Sequence, residues 1–484
     1  MKSNRLTQTA LLGAVFIGTA DAEPTVNILH PAGTVWSEAS GNSGTSQVGS
    51  TTSIAGVTRA RLWSGTSSSM INLHPSVATN SVALGTDGLS QVGSVTIGNQ
   101  RRASIWTGHV ATWVNLHPVS VTESVALGVS GNRQVGFTAN SPESSRACLW
   151  NGSSSSWVSL HSGVNSMALG VSDSNQVGWI NYGGGYSEAY LWNGSAGARV
   201  QLHPIGAAYS ICNATNGPTQ VGVFTRTFGG GQRACLWSGT SGSMVDLHPF
   251  GSSYSAAYGV SEAHQVGVAY FEPLDERAIL WSGDRSLWIN LHDLLPIDYR
   301  SSVAKSVSKS GDKLSIVGFA VRSSTNQKEA VVWTVPLSSL VKVSGEIVLQ
   351  NTSVQGEPGA EDIGWQLFNE ERSFGGRLEV NRIGGGSYKF QIPISAPMGA
   401  YTLRFKGGSF LSRSAPVVLG SGDISLSVSL PNGDSDQDGE VGPSDFEAVV
   451  AQFGASGSGD LDNDGEVGPS DFEIVVANFG LQDQ

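Results

Sequence analysis

The chain is poor in charge: of its 484 residues only 14% are Asp, Glu, Lys or Arg. It is poor in cysteine, with Cys148, Cys212 and Cys235 alone, too few to staple a fold of this length with disulfides. After the first two dozen residues it lacks any apolar run long enough to cross a bilayer as a helix, so no transmembrane anchor is expected. From Pro431 to Gln484 it lacks Lys and Arg altogether while carrying thirteen Asp and Glu. Those carboxylates account for the formal net charge of −12 and leave the remainder close to neutral. Such a distribution speaks against a nucleic-acid partner and for a cation site in the tail. The sequence also lacks a Gly-x-Ser-x-Gly elbow, a His-Glu-x-x-His helix and a sialidase-type Asp box, so no familiar hydrolytic centre is legible.

Glycine is abundant, at 62 residues, which suits many short strands joined by tight turns. A chain this long exceeds one core, and two to four domains are expected. At the N-terminus Lys2 and Arg5 precede an apolar run from Ala10 to Ala20, followed by the small-x-small pattern Ala20-Asp21-Ala22. This predicts a secretory signal over residues 1–22, cleaved before Glu23, and a protein that is secreted or held at the cell surface. The apolar run is about a dozen residues, short of the roughly 20 that a membrane span needs.

The body is organised by repetition. The histidine of Leu-His-Pro recurs at His30, His74, His117, His161, His203, His248 and His292, with gaps of 44, 43, 44, 42, 45 and 44 residues. Gln-Val-Gly recurs from Gln47, Gln91, Gln134, Gln176, Gln220 and Gln265, with Ile316-Val317-Gly318 as the seventh copy. Ala-x-Leu-Trp ends at Trp63, Trp106, Trp150, Trp192, Trp237 and Trp281, with Trp333 in the last copy. A period of this size with four strands per unit predicts a seven-bladed β-propeller over residues 23–337. In one unit the strands read as Ser124–Gly128, a run from Gln134, Ala147–Trp150 and Trp157–His161. The segment Val26–His30 is a lone fourth strand and the last copy stops at its third, so the N-terminal strand is expected to complete the last blade. The rival is Leu340–Val343. Cys148 and Cys235 fall in the same slot of different repeats, too far apart for a disulfide, and all three cysteines read as buried thiols. These landmarks resemble the extracellular HAF-repeat family, although the family's His before Ala is here Arg59, Arg102, Arg146, Glu188, Arg233, Arg277 and Glu329. The resemblance implies export and carries no defined activity.

From Leu340 the texture changes to alternating segments: Val341–Leu349, Trp365–Phe368, Arg377–Val380, Tyr388–Ile394, Tyr401–Phe405 and Ile424–Leu430. They predict a β-sandwich over residues 338–430. Gly386-Ser387-Tyr388-Lys389-Phe390 and Gly399-Ala400-Tyr401-Thr402-Leu403 resemble the carboxypeptidase-regulatory type of sandwich, which implies a spacer.

Residues 431–484 hold two near-identical acidic loops, 434–445 and 460–471. Calcium takes six to eight oxygens, supplied in a twelve-residue loop from positions 1, 3, 5, 7, 9 and 12. These are Asp434, Asp436, Asp438, the Glu440 carbonyl, a water or carbonyl near Gly442, and Asp445. The second set is Asp460, Asp462, Asp464, the Glu466 carbonyl, the region of Gly468, and Asp471. Gly439 and Gly465 stand where the loop turns sharply. Two Ca2+ ions are therefore expected, each loop feeding one helix, Phe446–Phe453 or Phe472–Phe479, with Phe and Val on one face. Paired loops of this kind, ending in Asp and each followed by one helix, resemble the type I dockerin module. The resemblance implies a cohesin-like partner, met through helix residues and loop positions 10 and 11. The prolines there, Pro443 and Pro469, depart from the family pattern and leave another surface protein, or the sandwich itself, as the partner.

In the propeller the equivalent histidines are too dispersed for one metal ion and are expected to bond a neighbouring blade's backbone. The repeats differ just before the inner strand, at Trp36, Asn80, Glu123, Asn165, Tyr209, Tyr254 and Ser301. This point is the mouth of the channel. With Arg102, Arg146, Arg233 and Arg277 on the same side, these aromatics and amides suit a glycan or another cell-envelope component. The expected function is a non-catalytic binding or adhesion protein. The alternative is a polysaccharide-degrading glycosidase or lyase, for which Glu123 and Asp298 are the nearby carboxylates.

Overall fold

The computed structural model describes residues 23–484 apart from 142–143, 162, 164, 184–185, 228–229, 250, 272–274, 286, 351–362, 370–372, 379, 385–386, 396–398, 420–422 and 463. The expected signal segment lies outside the described residues. The protein is mainly β. Among the described residues there are nine four-stranded sheets and two α-helices, and no helix is long and apolar enough to cross a membrane.

Seven sheets are built by the repeat and form a β-propeller arrangement. Six take four consecutive strands each, as in Glu123–Ser130, Arg133–Ala139, Arg146–Trp150 and Val158–Ser159, all antiparallel. The fourth strand is shorter than the sequence suggested: Trp157 closes a short 3-10 turn at Ser154–Ser156, and only two residues pair. The seventh sheet joins Tyr299–Ser310, Lys313–Arg322 and Lys328–Pro336 to Thr25–Ile28, which pairs antiparallel with the last of them. Leu340–Leu349 goes instead to the next unit. The first strands of successive sheets touch in order, and Tyr299–Ser310 touches Thr34–Ser43.

The repeated motifs now have physical reasons. A Cβ added to the glycine of any Gln-Val-Gly copy, such as Gly136, would lie 1.9 Å from a carbonyl oxygen of the first strand, Val125 O in that copy. Only glycine lets the two strands approach so closely beside the bulge that each first strand carries. The preceding glutamine has its own task. Oε1 of Gln47, Gln91, Gln134, Gln176, Gln220 and Gln265 accepts the N–H of the glycine in the turn after the tryptophan, at 2.6–2.9 Å. The last copy runs straight on through Trp333 to Pro336 without that turn, so Ile316 replaces glutamine at no loss.

Each tryptophan is fully buried between sheets. Trp106 packs against Val48, Ala60 and Leu73 of the sheet before it, and Trp63 packs likewise against Leu29, Val317 and Ala330. Cys148, Cys212 and Cys235 are free and buried in these cores.

Leu340–Leu430 folds as two four-stranded sheets over one core that includes Val343, Leu367, Phe390, Leu403 and Phe405. Two differences from the sequence reading stand out. Arg377–Val380 straddles the junction of two strands, Ser373–Arg377 and Val380–Gly384. A further strand, Phe410–Leu419, went unseen because Pro416 interrupts its pattern; it lies at a sheet edge, where a missing N–H is tolerated.

The tail carries α1 (Pro443–Ala451) and α2 (Pro469–Asn478), each opened by the proline at its first turn. Their shared core of Val441, Val449, Leu461, Val467, Ile474 and Val475 includes Leu411 of the sandwich. Phe and Val do not share one face as expected: Val449 and Val475 are core and Phe472 packs against it, whereas Phe446, Val450, Phe453, Val476 and Phe479 are exposed.

Candidate functional site

The histidines are structural: Nε2 of His30, His203 and His248 meets the backbone carbonyl of Thr34, Ala207 and Ser252 at 2.9–3.2 Å, and a second partner was not foreseen. Nδ1 of His30, His74, His117, His203, His248 and His292 lies 2.7–2.9 Å from a serine Oγ on the first strand of the next sheet. That same Oγ accepts the N–H of the Ala in Ala-x-Leu-Trp, on the third strand of the preceding sheet. The histidine therefore reaches the backbone through a hydroxyl that ties two sheets together. Ala330 N–H to Ser37 Oγ, 2.8 Å, is the same bond between the last sheet and the first. His161 departs from the pattern. Its loop is two residues shorter, its Nδ1 has no partner among the described residues, and its ring meets Tyr182 edge-on at 6.1 Å. Burial pushes the imidazoles of His248 and His292 down to about 4, helped by Arg233 and Arg277 respectively.

The residues singled out at the mouth divide into two groups. Asn80, Asn165 and Glu123 serve the local backbone or a neighbouring charge. Asn80 Oδ1 accepts the Thr58 N–H at 2.9 Å, Asn165 (φ 60°) accepts the Asn181 N–H at 2.8 Å, and Glu123 pairs with Arg101. The arginines do not converge. Arg233 reaches outward to Asp246 at 2.8 Å, Arg277 to the Arg300 carbonyl, and Arg102 to Gln100 at 3.2 Å, while Arg146 is exposed opposite Thr138.

Trp36, Tyr209 and Tyr254 belong to a different neighbourhood. Tyr209 and Tyr254 flank a cluster of Val223, Ala256, Val268, Val303 and Phe319, and the Tyr254 hydroxyl is 3.4 Å from that of Tyr258. Trp36 is 52% exposed, with the Lys328 ammonium 4.8 Å from its ring centre. The same ammonium stands 3.9 Å over Phe319 and 3.2 Å from Glu38 Oε2. Lys305 lies 4.8 Å over Tyr258 and 3.9 Å from Glu38 Oε1.

Glu38, Tyr258, Lys305, Phe319 and Lys328 were missed in the sequence. The signal was present at the bulge of each first strand, where the copies read Ser40, Leu84, Leu127, Leu169, Asn213, Tyr258 and Lys305. The far side of the wall is apolar, with Leu84, Val125, Leu127, Phe137 and Met167 in one cluster.

Asp298 joins a locked network. Arg322 pairs with Asp298 and grips Glu329 through Nε at 2.8 Å and Nη2 at 3.0 Å, while the Tyr299 hydroxyl donates to Glu329 at 2.5 Å. Burial together with the Glu329 carboxylate raises the Tyr299 phenol well above its usual range. A phenol held protonated beside a clamped carboxylate is a poor nucleophile.

In the tail, carboxylate oxygens of Asp434, Asp436 and Asp445 gather within 4.8 Å of one another, as do those of Asp460, Asp462 and Asp464. Asp445 is buried and organises the first loop by accepting the N–H groups of Ser435 (2.6 Å), Asp436 (3.3 Å) and Gly442 (2.8 Å). Asp471 does the same for Leu461, Asp462 and Gly468. Asp438 and Asp464 each accept the N–H two residues on, at 2.9 and 3.0 Å. Gly439 and Gly465 turn at φ 90° and 102°, as the loops require. Asp434 is fully buried, its Oδ1 has no partner among the described residues, and burial raises its carboxyl above the usual range. A desolvated, orphaned carboxylate oxygen inside a hard-oxygen cluster fits a calcium ion. The Glu440 side chain accepts from Gln482 Nε2 at 3.2 Å.

No family model matches the chain, and no curated protein matches it. Solved structures resemble it in parts. The propeller domain of the Trilobed protease from Pyrococcus furiosus is 8% identical, covering 63% of this chain and 95% of that one at a TM-score of 0.43. A putative TolB from Agrobacterium tumefaciens is 10% identical, covering 65% and 99% at 0.36. A type II Cohesin-X-Dockerin complex mutant from Acetivibrio cellulolyticus is 22% identical, covering 29% and 97% at 0.24. At these scores the likenesses carry no argument about activity.

Proposed function

We propose that this is an extracellular binding protein in which a closed seven-bladed ring recognises a glycan and a calcium-folded tail docks to a partner at the cell surface. The observation that carries the glycan reading is the exposed Trp36 beneath the Lys328 ammonium, which also stands over Phe319 of the cluster that Tyr209, Tyr254 and Tyr258 flank. Sugar rings stack on such faces, and partly buried hydroxyls and ammoniums supply the hydrogen bonds that orient them. The ring reading is supported by the Ala–Ser bond and the Trp63 packing, which the last and first sheets share with every other pair. The two calcium ions would be held by Asp434, Asp436, Asp438, Asp445 and the Glu440 carbonyl, and by Asp460, Asp462, Asp464, Asp471 and the Glu466 carbonyl. Bound calcium supplies charge neutralisation there and no reaction step. The docking face would be the apolar surface of Phe446, Val450, Phe453, Val476 and Phe479, offered to a cohesin-like or other surface protein.

A glycan array with the full-length protein tests the first half: binding lost in Trp36→Ala supports it, and absence of any saccharide binding refutes it. Calorimetry with calcium tests the second, two ions per chain being the expected result. The competing reading, a polysaccharide-degrading enzyme, would be shown by turnover of a polysaccharide panel that Glu329→Gln abolishes.

A further inference from the structure

The channel wall is not uniform, and its chemistry changes at one place. Around most of its circumference the innermost side chains are aliphatic or small. Between the last sheet and the first, two ammoniums and one carboxylate break the wall, at Lys305, Lys328 and Glu38. All three are partly buried, with side chains 31%, 22% and 29% exposed.

Two cations against one anion leave a local charge of +1. Glu38 divides itself unequally, 3.2 Å from Lys328 and 3.9 Å from Lys305. The Lys305 ammonium is thus beyond hydrogen-bond distance of its only carboxylate, and among the described residues its other neighbours are the rings of Tyr258 and Phe319. Aromatic faces attract a cation but accept none of its three N–H donors in the manner of an oxygen. The Lys305 ammonium, its side chain 31% exposed, therefore keeps N–H donors that a ligand oxygen can take. Tyr258 and Phe319 supply apolar faces beside it, and Trp36 supplies one beside Lys328.

We propose that Lys305 and Lys328 form an anion subsite in the channel that takes the carboxylate or sulfate of an acidic saccharide, with the sugar ring laid against Trp36. The proposal rests on the glycan reading above and specifies its ligand class. Glu38 holds the two ammoniums at the wall in the free protein and gives the subsite its selectivity. A neutral sugar leaves the excess positive charge unmatched, whereas an anionic one completes two charge-assisted contacts.

The test is calorimetric titration of the full-length protein with uronate-containing and sulfated oligosaccharides, and with the methyl ester of each uronate, which keeps the ring shape and removes the charge. Acidic sugars should bind, with affinity falling as salt rises, and esterification should weaken binding at least tenfold. Lys305→Met and Lys328→Met should each lower affinity for the acid about tenfold and lower that for the ester by much less. Lys305→Gln, which keeps a donor without the charge, provides a second variant should the methionine disturb folding. Equal affinity for acid and ester, or an unaltered Lys305→Met/Lys328→Met double variant, would overturn the subsite. Binding of neutral sugars alone would overturn it while the glycan reading survives, and binding of no saccharide would remove both.

Discussion

The ammonium of Lys406, on the sandwich strand Gly399–Gly407, stands 3.5 Å from Oδ2 of Asp434, the first residue of the first acidic loop. The second loop has no such neighbour among the described residues. The same region of the sandwich is bound to the tail at several further points. The Ser412 N–H donates to Asp483 Oδ1 at 2.7 Å, the Asp434 N–H to the Ser409 carbonyl at 2.9 Å, and Arg413 to the Gln482 carbonyl at 3.1 Å. The two loops are near-identical in sequence and unequal in surroundings.

Replacing Lys406 by methionine should tighten calcium at the first loop. A cation roughly 5 Å from a divalent ion in high-dielectric surroundings opposes it by about 1.5 kcal/mol, roughly tenfold in affinity. Calorimetry on the full-length variant should show one of two sites strengthened and the other unmoved. Two unaltered sites would show that Lys406 has no influence on the ion.

Asp445→Asn should cost the first loop its ion and leave the second intact. Asp445 holds three backbone N–H groups of its own loop, so the change removes a ligand charge and loosens the frame together. The measured stoichiometry should fall from two ions to one. A variant that still binds two would contradict the assignment.

Ser255→Ala removes the hydroxyl that joins His248 Nδ1 (2.7 Å) to the Ala234 N–H (2.9 Å). A buried donor and a buried acceptor lose their partner, at a cost of about 1–3 kcal/mol. Denaturant unfolding should report that loss. Ser253→Ala, on a neighbouring residue outside the relay, serves as the control.

Acid should weaken the propeller through its buried imidazoles, a loss that Asp293, raised by burial to about 6, offsets only in part by taking up a proton in the native state. His248 and His292 are held near 4 by burial, against an ordinary value of about 6.5. Between those limits the unfolded chain takes up protons that the native imidazoles refuse, so this stability is complete above pH 6.5 and is lost as pH falls toward 4. The melting temperature, measured in chelator to remove any contribution from calcium, should be flat from pH 8 to 7 and lower by a few degrees at pH 5. No change at pH 5 would contradict the buried, neutral assignment.

Gly136→Ala should be far more damaging than an exposed glycine change. The new methyl group would lie 1.9 Å from Val125 O, a backbone atom that cannot swing away. Loss of several kcal/mol, or failure to fold, is expected. Gly242→Ala, with open space around the added carbon, should fold normally.

Much of this architecture was legible in the residues. The 44-residue period, the small residues of the first strand and the lone N-terminal strand together pointed to a propeller, because each is a local consequence of packing the same unit repeatedly. The acidic loops were legible for the same reason, since their donors and turning glycines lie within twelve residues. The edge strand Phe410–Leu419 was not, because proline breaks its pattern without breaking its pairing. Nor was the serine bond, whose donor and acceptor are 19–24 residues apart at six of the junctions and 293 apart at the seventh.

What the sequence determined by itself was the repeating unit, its strand order and the composition of the two acidic loops, all of which depend on contacts between near neighbours. Only the tertiary structure decided which odd residues of separate repeats would meet. Glu38, Lys305 and Lys328 are brought together because the two ends of the repeat region share a sheet, and Lys406 reaches Asp434 because the sandwich packs against the tail. Short-range patterning is set by the backbone's own geometry, whereas a juxtaposition across hundreds of residues exists only once every intervening interface has formed.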